Sequence, residues 1–449
     1  MPENRTIMIP SAKRLIKSLR DTGYDFKTAV ADVIDNSMEA GATKINIDII
    51  YNGSNSKVRI TDNGLGMDNQ NLQEAMRFGS IRDYEKEMEM GKFGLGLKLA
   101  SLSQCRRLTL VSRSEKNTRN INGYYWDLDH IEDTDRWEIL KIEPGELLKE
   151  LEDYFKKNTG TMVIWQKLDR ILNLKYPEGK MAHTRLANMC RELEEHLAMV
   201  FHKFLAGEVP NKKITIYLNE NKVEPWDPFC RAEEKTIILQ PTKIRVNNDN
   251  NESIITIQPY VLPHQNSFSS RLAFDKASGP EKWNRQQGYY IYRANRMIHS
   301  GGWLGLRTID EHTKLARVSI DFSPLLDEEF KVNIAKKGVQ IPAMCREEIS
   351  AINTLVCKQA QEVYRNSEKK QNIISPPVDQ GKNTATNESA GSTVTNPTQP
   401  GVNIGSTPQP SSIKKYSLDE LREVFKKHAL PSEMLVISTV LRRVEKYEK

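Results

Sequence analysis

The chain reads as an α/β protein: a mixed sheet with helices, then a second α/β region and a polar tail. Three observations predict this. Over residues 1–207, apolar residues at helical spacing interleave with strand-like alternation, as where Ile45, Ile47 and Ile49 alternate with Asn46 and Asp48. The order of these stretches is irregular, which fits a mixed sheet better than a regular strand–helix–strand series. After residue 365 the composition turns abruptly to Ser, Thr, Asn, Pro and Gly.

The elements follow in order. A helix is predicted near Ser11–Arg20, and a second, acid-bearing helix over 29–40 that Gly41 stops. Strands are predicted at 45–49, Lys57–Thr61, Arg107–Ser112 and Thr161–Gln166, with a closing helix over 185–205. The second region, 208–365, holds four strand-like runs, KITIYLN, TIILQPTKIRV, ESIITIQPYVL and GYYIYRANRMI, and a helix over Glu347–Tyr364. Residues 366–414 are expected to be a disordered linker. Residues 415–449 return to helical spacing, with Ser417 and Glu420 placed for a capping box and Pro431 separating two short helices.

Bulk properties narrow the class. The 449 residues suffice for two or three domains. Lys and Arg number 65 against 59 Asp and Glu, a formal charge of +6, which permits contact with nucleic acid without requiring it. The 5 cysteines, Cys105, Cys190, Cys230, Cys345 and Cys357, form no CxxC pair, which argues against structural zinc and suits a reducing compartment. No apolar run approaches the ~18 residues of a membrane helix, and the charged N-terminus lacks a signal-peptide core. A soluble, cytoplasmic protein with no membrane partner is therefore expected, in keeping with a mean hydropathy of -0.59.

Three segments carry the chemistry: AVADVIDNSMEAGA, RITDNGLGM and GKFGLGLK, all between residues 29 and 98. In the first, Asp32, Asp35, Asn36 and Glu39 share one helix face, and Val30, Val33, Ile34 and Met38 the other. An Asn amide oxygen ligates magnesium without adding charge, and a neighbouring carboxylate can orient or deprotonate water. An ordinary amphipathic surface helix has the same pattern. In the second, Asp62 ends a strand where it can accept a hydrogen bond from an exocyclic amino group, and Gly64 and Gly66 allow a tight turn; a plain Asp-Asn-Gly turn reads the same way. In the third, Gly91, Gly94 and Gly96 precede a helix starting near Leu97, a place that favours phosphate, and Lys92 and Lys98 add positive charge. Neither GxGxxG nor GxxxxGK[ST] is present. Between Gly79 and Gly91 the charged stretch SIRDYEKEMEM reads as a mobile lid.

Together and in this order, the three segments resemble the N-box and the two glycine boxes of the GHKL ATPases: DNA gyrase B subunits, heat-shock chaperones of the ninety-kilodalton class, sensor histidine kinases and MutL, with MORC proteins as relatives. The combination DNSMEAGA, FGS and GLGLK looks most like bacterial MORC- or MutL-like proteins. Gly160-Thr161 resembles the family's later Gly-Thr, and FKVNIAKKGVQIP resembles the transducer segment whose lysine reaches the γ-phosphate. The resemblance implies a Bergerat-type α/β sandwich over 1–207 and a transducer-like domain over 208–365.

It also implies roles. ATP and Mg2+ would be the ligands. Asn36 would hold magnesium, Asp32 would act as general base, and Asp62 would take the adenine amino group with Thr161 supporting it through water. Gly64, Gly66 and Met67 would shape the base pocket. Lys92, Gly94, Leu95, Gly96, Leu97 and Lys98 would surround the phosphates. Lys336, or failing it Lys337, would sense the γ-phosphate. Many hydrolysing relatives carry Glu where this chain has Asp32; Asp is one methylene shorter, and a misplacement of ~1 Å can lower a rate about a hundredfold. A slow ATPase is the expectation, with a non-hydrolysing nucleotide-binding module as its alternative.

The leading functional reading is an ATP-gated homodimeric clamp on DNA, with Arg293, Arg296 and Arg307 as a basic second-domain surface. The same arginines could instead serve folding and ion pairing. A chaperone-like machine on protein clients shares the pocket but lacks a large client-binding domain. A sensor kinase needs a phosphoacceptor histidine before the ATP domain, and the first histidine is His130.

Overall fold

The computed structural model describes residues 8–21, 23–79, 95–143, 149–248, 251–332 and 338–374. All lie in one compact unit. The glycines and Lys92 of the 80–94 stretch, Lys336, Lys337, and everything expected after 374 lie outside the described residues.

The first half runs α1 (Ala12–Leu19), α2 (Phe26–Glu39), β1 (Lys44–Ile50), β2 (Lys57–Asp62), α3 (Asn69–Met76), α4 (Gly96–Leu102), β3 (Arg107–Arg113), β4 (Asn122–Asp127), α5 (Leu128–Thr134), β5 (Leu140–Lys141), α6 (Lys149–Lys157), β6 (Gly160–Gln166), α7 (Lys180–Val200), α8 (His202–Leu205), β7 (Thr215–Leu218) and β8 (Asn221–Lys222). The second half runs β9 (Ile237–Ile238), β10 (Thr242–Asn248), β11 (Asn251–Val261), α9 (Arg271–Ala277), α10 (Lys282–Gln286), β12 (Gly288–Arg293), β13 (Arg296–Ser300), β14 (Ala316–Phe322) and α11 (Arg346–Ile374).

Two sheets result. The first is eight-stranded in the order β5-β4-β3-β6-β2-β1-β7-β8, and the second is ordered β10-β11-β14-β12-β13 with β9 beside β11. Both are mixed: β1–β7 and β12–β14 are parallel and the remaining pairs antiparallel. The mixed sheet with helices expected of the N-terminal region is therefore present.

Local chemistry explains the element that matters most. Asp25 caps α2 by accepting from the Thr28 N–H at 2.9 Å, and Gly41 at φ 74° ends it in the left-handed region. The alternation in β1 places Ile45 and Ile47 in the core. The first core gathers Val30, Val33, Ile34, Leu110, Trp165 and Leu197, so α2 packs against α4 and α7 as well as the sheet. A separate core forms around Ile257, Ile291, Val318, Phe330 and Val356. A smaller aromatic cluster of Met199, Trp226, Phe229, Tyr260, Tyr290, Tyr292 and Met297 joins the end of α7 to the second sheet. There Phe229 and Tyr260 stack at 4.3 Å, and His202 and Tyr292 share a hydrogen bond at 2.8 Å.

Several details depart from the sequence reading. The KITIYLN run, expected in the second region, supplies β7, which lies parallel to β1 in the first sheet; a short alternating run does not say which sheet it joins. GYYIYRANRMI is a hairpin rather than one strand, turning at Ala294 and Asn295 with φ of 48° and 69°. Helix α11 continues to Ile374, into the stretch expected to be linker. Two acids of the charged face of α2 are covered, Asp32 and Asp35 being 3% and 2% exposed, while Asn36 is half-buried and Glu39 exposed.

The expected basic surface is corrected at two of its three arginines, Arg307 being half-buried. Arg293 is buried and holds Asp327 through two bonds, Nε to Oδ1 at 2.6 Å and Nη2 to Oδ2 at 2.8 Å. Arg296 is buried against α2. Both serve internal ion pairing, so neither offers charge to a nucleic acid. Removing one partner of a buried pair strands the other charge. Asp327→Ala is expected to destabilise the fold by about 3–5 kcal/mol, measured by urea unfolding.

Candidate functional site

The site is built around α2 and the end of β2. Asp62, at the last position of β2, is buried and held on three sides. Its Oδ1 accepts from the Gly64 N–H at 2.9 Å and the Thr161 N–H at 3.2 Å, and its Oδ2 accepts from the Ser37 hydroxyl at 3.0 Å. Burial pushes its carboxyl above the usual carboxylate value, and the three donors oppose that rise. The arrangement fixes the carboxylate rigidly beside the start of β6.

The two glycines after it are there for space. A Cβ on Gly64 would stand 2.7 Å from the Ala40 carbonyl oxygen at the end of α2. Gly66 has φ +63°, and a Cβ there would stand 2.0 Å from the Arg113 carbonyl oxygen. The turn can lie this close to both neighbours only without side chains. Met67 follows, half-buried, its N–H donating to the Ser112 hydroxyl at 2.8 Å. That hydroxyl also meets the Thr161 hydroxyl at 2.9 Å, so Ser112 ties the turn to β6.

On α2, the Asn36 side-chain N–H donates to the Asp32 carbonyl at 2.9 Å. This anchors the amide nitrogen and leaves the amide oxygen as the ligating end, the donor type a magnesium ion takes. No group of three or more His, Cys, Asp or Glu suited to a metal ion occurs among the described residues.

One turn earlier, the Asp32 carboxylate is gripped at both oxygens. Tyr24 donates to Oδ2 at 2.7 Å, and Arg296 Nη2 lies 3.4 Å from Oδ1. Burial beside this acid pushes the Tyr24 phenol far up, so it stays a donor. Arg296 Nε donates to Asp35 at 2.8 to 2.9 Å. Asp32 Oδ2 would be 3.9 Å from a Cβ at Gly96, which brings the acid beside the start of α4. Leu95, Gly96 and Leu97 form that start and are half-buried. Lys98 is buried; its ammonium donates to the Ala75 carbonyl at the end of α3 at 3.0 Å, and burial pushes its pKa down to about 8.

The fold thus brings Asp32, Asn36, Asp62, Gly64, Gly66, Met67, Leu95, Gly96, Leu97 and Thr161 into one region, with Lys98 turned to α3. Lys92, Gly94 and Lys336 lie outside the described residues. Ser37, Tyr24 and Ser112 were not singled out from sequence. Ser37 adjoins Asn36 on the motif helix and could have been; Ser112 and Tyr24 are marked only by three-dimensional proximity. Two cavities border the partners of Asp32, Tyr24 and Arg296, rather than the Asp62 turn. One, of about 960 Å³, lies between the start of α2 and α7, lined by Lys27, Gln104, Met181 and Arg185 among others; the second, of about 500 Å³, borders Thr28, Met199 and Arg296.

The raised Asp62 carboxyl gives a pH signature. A carboxyl whose folded value lies above its unfolded one stabilises the fold most below the usual 3.8, and that contribution is lost as pH rises through the folded value. The unfolding free energy of the wild type minus that of Asp62→Asn is expected to fall as pH rises above the usual carboxyl value of 3.8, measured by urea titration.

Residues 24–161 match the family of histidine kinase-, DNA gyrase B- and HSP90-like ATPases. The chain is 38% identical over 97 residues to the DNA mismatch repair protein MutL of Haemophilus influenzae strain PittEE, 20% of this chain and 15% of that protein. It is 37% identical over 103 residues to MutL of Erwinia tasmaniensis, 22% and 16% of the two chains. To MutL of Actinobacillus succinogenes it is 39% identical over 93 residues, 19% and 14%. The similarity therefore spans about a sixth of those relatives' length. Among the described residues no helix is long and apolar enough to cross a membrane. On the family match and the likeness to MutL, residues 24–161 are a GHKL-type ATPase domain.

Proposed function

We propose that this protein is a magnesium-dependent ATP-binding clamp that hydrolyses ATP slowly and closes as a homodimer. The observation that carries the reading is the grouping on one short helix: Asp32 beside Gly96, Asn36 with its amide oxygen presented, and Ser37 bracing the Asp62 carboxylate. A carboxylate fixed by three donors suits recognition of an adenine amino group, since the acceptor geometry is set before the base arrives. Gly64 and Gly66 would leave room for the base, and the start of α4 would offer backbone N–H groups to phosphate. Magnesium held by Asn36 and by the phosphates would neutralise charge on them. Asp32 would orient the attacking water or take its proton. Lys336 would sense the γ-phosphate.

DNA is the partner we propose for the closed clamp. The relatives' description as DNA mismatch repair proteins supports it, together with the formal charge of +6. The buried Arg293 and Arg296 play no part in it. A second reading has a specific observation behind it: both Asp32 oxygens already accept hydrogen bonds, and the residue is Asp, so a module that binds ATP without turning it over shares the same pocket.

Turnover separates the two. With wild type hydrolysing ATP, Asp32→Ala is expected to lower kcat by about a hundredfold or more while ATP still binds. Asn36→Ala is expected to abolish the magnesium dependence. A wild type that binds ATP with no turnover assigns the non-hydrolysing reading. Size-exclusion chromatography with a non-hydrolysable ATP analogue is expected to show a dimer. A gel shift is expected to show DNA binding that weakens with salt; no shift at low salt removes DNA as the partner.

A further inference from the structure

We propose that Arg296 is a positioning residue, tying the second sheet to the acid at 32 so that the β12–β13 hairpin sets how Asp32 is presented beside α4. The proposal rests on the ATPase reading of the same site.

The hairpin is built to aim this side chain. Its two-residue turn at Ala294 and Asn295 has both φ values positive, the geometry that matches the twist of the flanking strands. A register shift at Ile291/Tyr292 re-aims the residues beyond it. Arg293, on one side of the turn, is locked to Asp327 by two short bonds within the second half of the chain. Its cross-strand partner Arg296 pairs instead with the acids of α2.

The distances at α2 show an uneven grip. Arg296 is firmly held by Asp35, at 2.8 to 2.9 Å, and only loosely by Asp32, at 3.4 Å. The second is at the outer limit of a hydrogen bond, so a displacement of a few tenths of an ångström tightens or releases it. A cavity of about 500 Å³ borders Arg296, Met297 and Ile298, so the hairpin is not closely packed on that side. With Tyr24 on Oδ2 and Arg296 on Oδ1, the rotation of the Asp32 carboxylate is set by one group from each sheet's side of the joint. Nucleotide-driven movement of the second half would reach the acid through this guanidinium.

The test must separate positioning from charge balance. Arg296→Met combined with Asp35→Asn removes one buried cation and one buried anion, so the net charge of the Asp32–Asp35–Arg296 group is unchanged. Positioning predicts a fall in kcat of about tenfold to a hundredfold with KM within about threefold. Wild-type kcat in this double variant overturns the proposal. The second arm is hydrogen exchange of the β13 amides with and without a non-hydrolysable ATP analogue, which reads the coupling even where turnover is slow. Slower exchange is expected in the wild type, and no response in the double variant. An analogue that binds and leaves wild-type β13 exchange unchanged overturns the coupling alone. If no ATP binds at all, the nucleotide reading fails and the proposal falls with it.

Discussion

A single buried guanidinium makes the arrangement of α2 possible. Asp32 and Asp35 lie less than one turn apart, both nearly without solvent, and two unneutralised carboxylates so placed would repel each other and lose their hydration. Arg296 lies between them, and Tyr24 supplies a further donor. Since that arginine comes from β13, the polar face of α2 keeps its geometry only while the second sheet is docked. The joint is reinforced by His202 with Tyr292, by the ion pair of Lys203 with Asp321, and by the aromatic cluster around Phe229.

The same helix serves the other end of the site. Ser37, five residues after Asp32, braces Asp62, and the Gly64 turn is seated against the Ala40 carbonyl at the C-terminal end of α2. Both carboxylates of the proposed site are therefore oriented from α2, one by its own backbone position and one by a hydroxyl. Neither is left to a mobile loop. Pre-set acceptors of this kind need little rearrangement when a ligand arrives, which is where binding energy is otherwise lost.

Much of this was legible in the sequence because it is local. The apolar spacing of α2, the alternation in β1, the turn glycines and the order of the three motifs are all read within a few residues. What escaped was long-range. Arg296 lies 261 residues from the Asp35 it pairs with, and in the sequence it stood beside other arginines as an apparent basic patch. Thr215–Leu218 joined the first sheet because β1 offered it a parallel edge, which its own short alternation does not encode. Ser112 carries no motif; it matters because β3 pairs with β6 and sets its hydroxyl against Thr161. Helical periodicity marks which residues of α2 are polar, not which distant side chain covers them.

We propose that Asp62 recognises adenine through a carboxylate fixed before the base arrives. Titration calorimetry of ATP and of GTP, each with magnesium, tests it most directly. Guanine presents a carbonyl oxygen where adenine presents its amino group, and that oxygen would face the caged carboxylate. ATP is predicted to bind at one site per chain and GTP at least about a hundredfold more weakly. Equal affinity for the two nucleotides, or no binding of ATP, would contradict it.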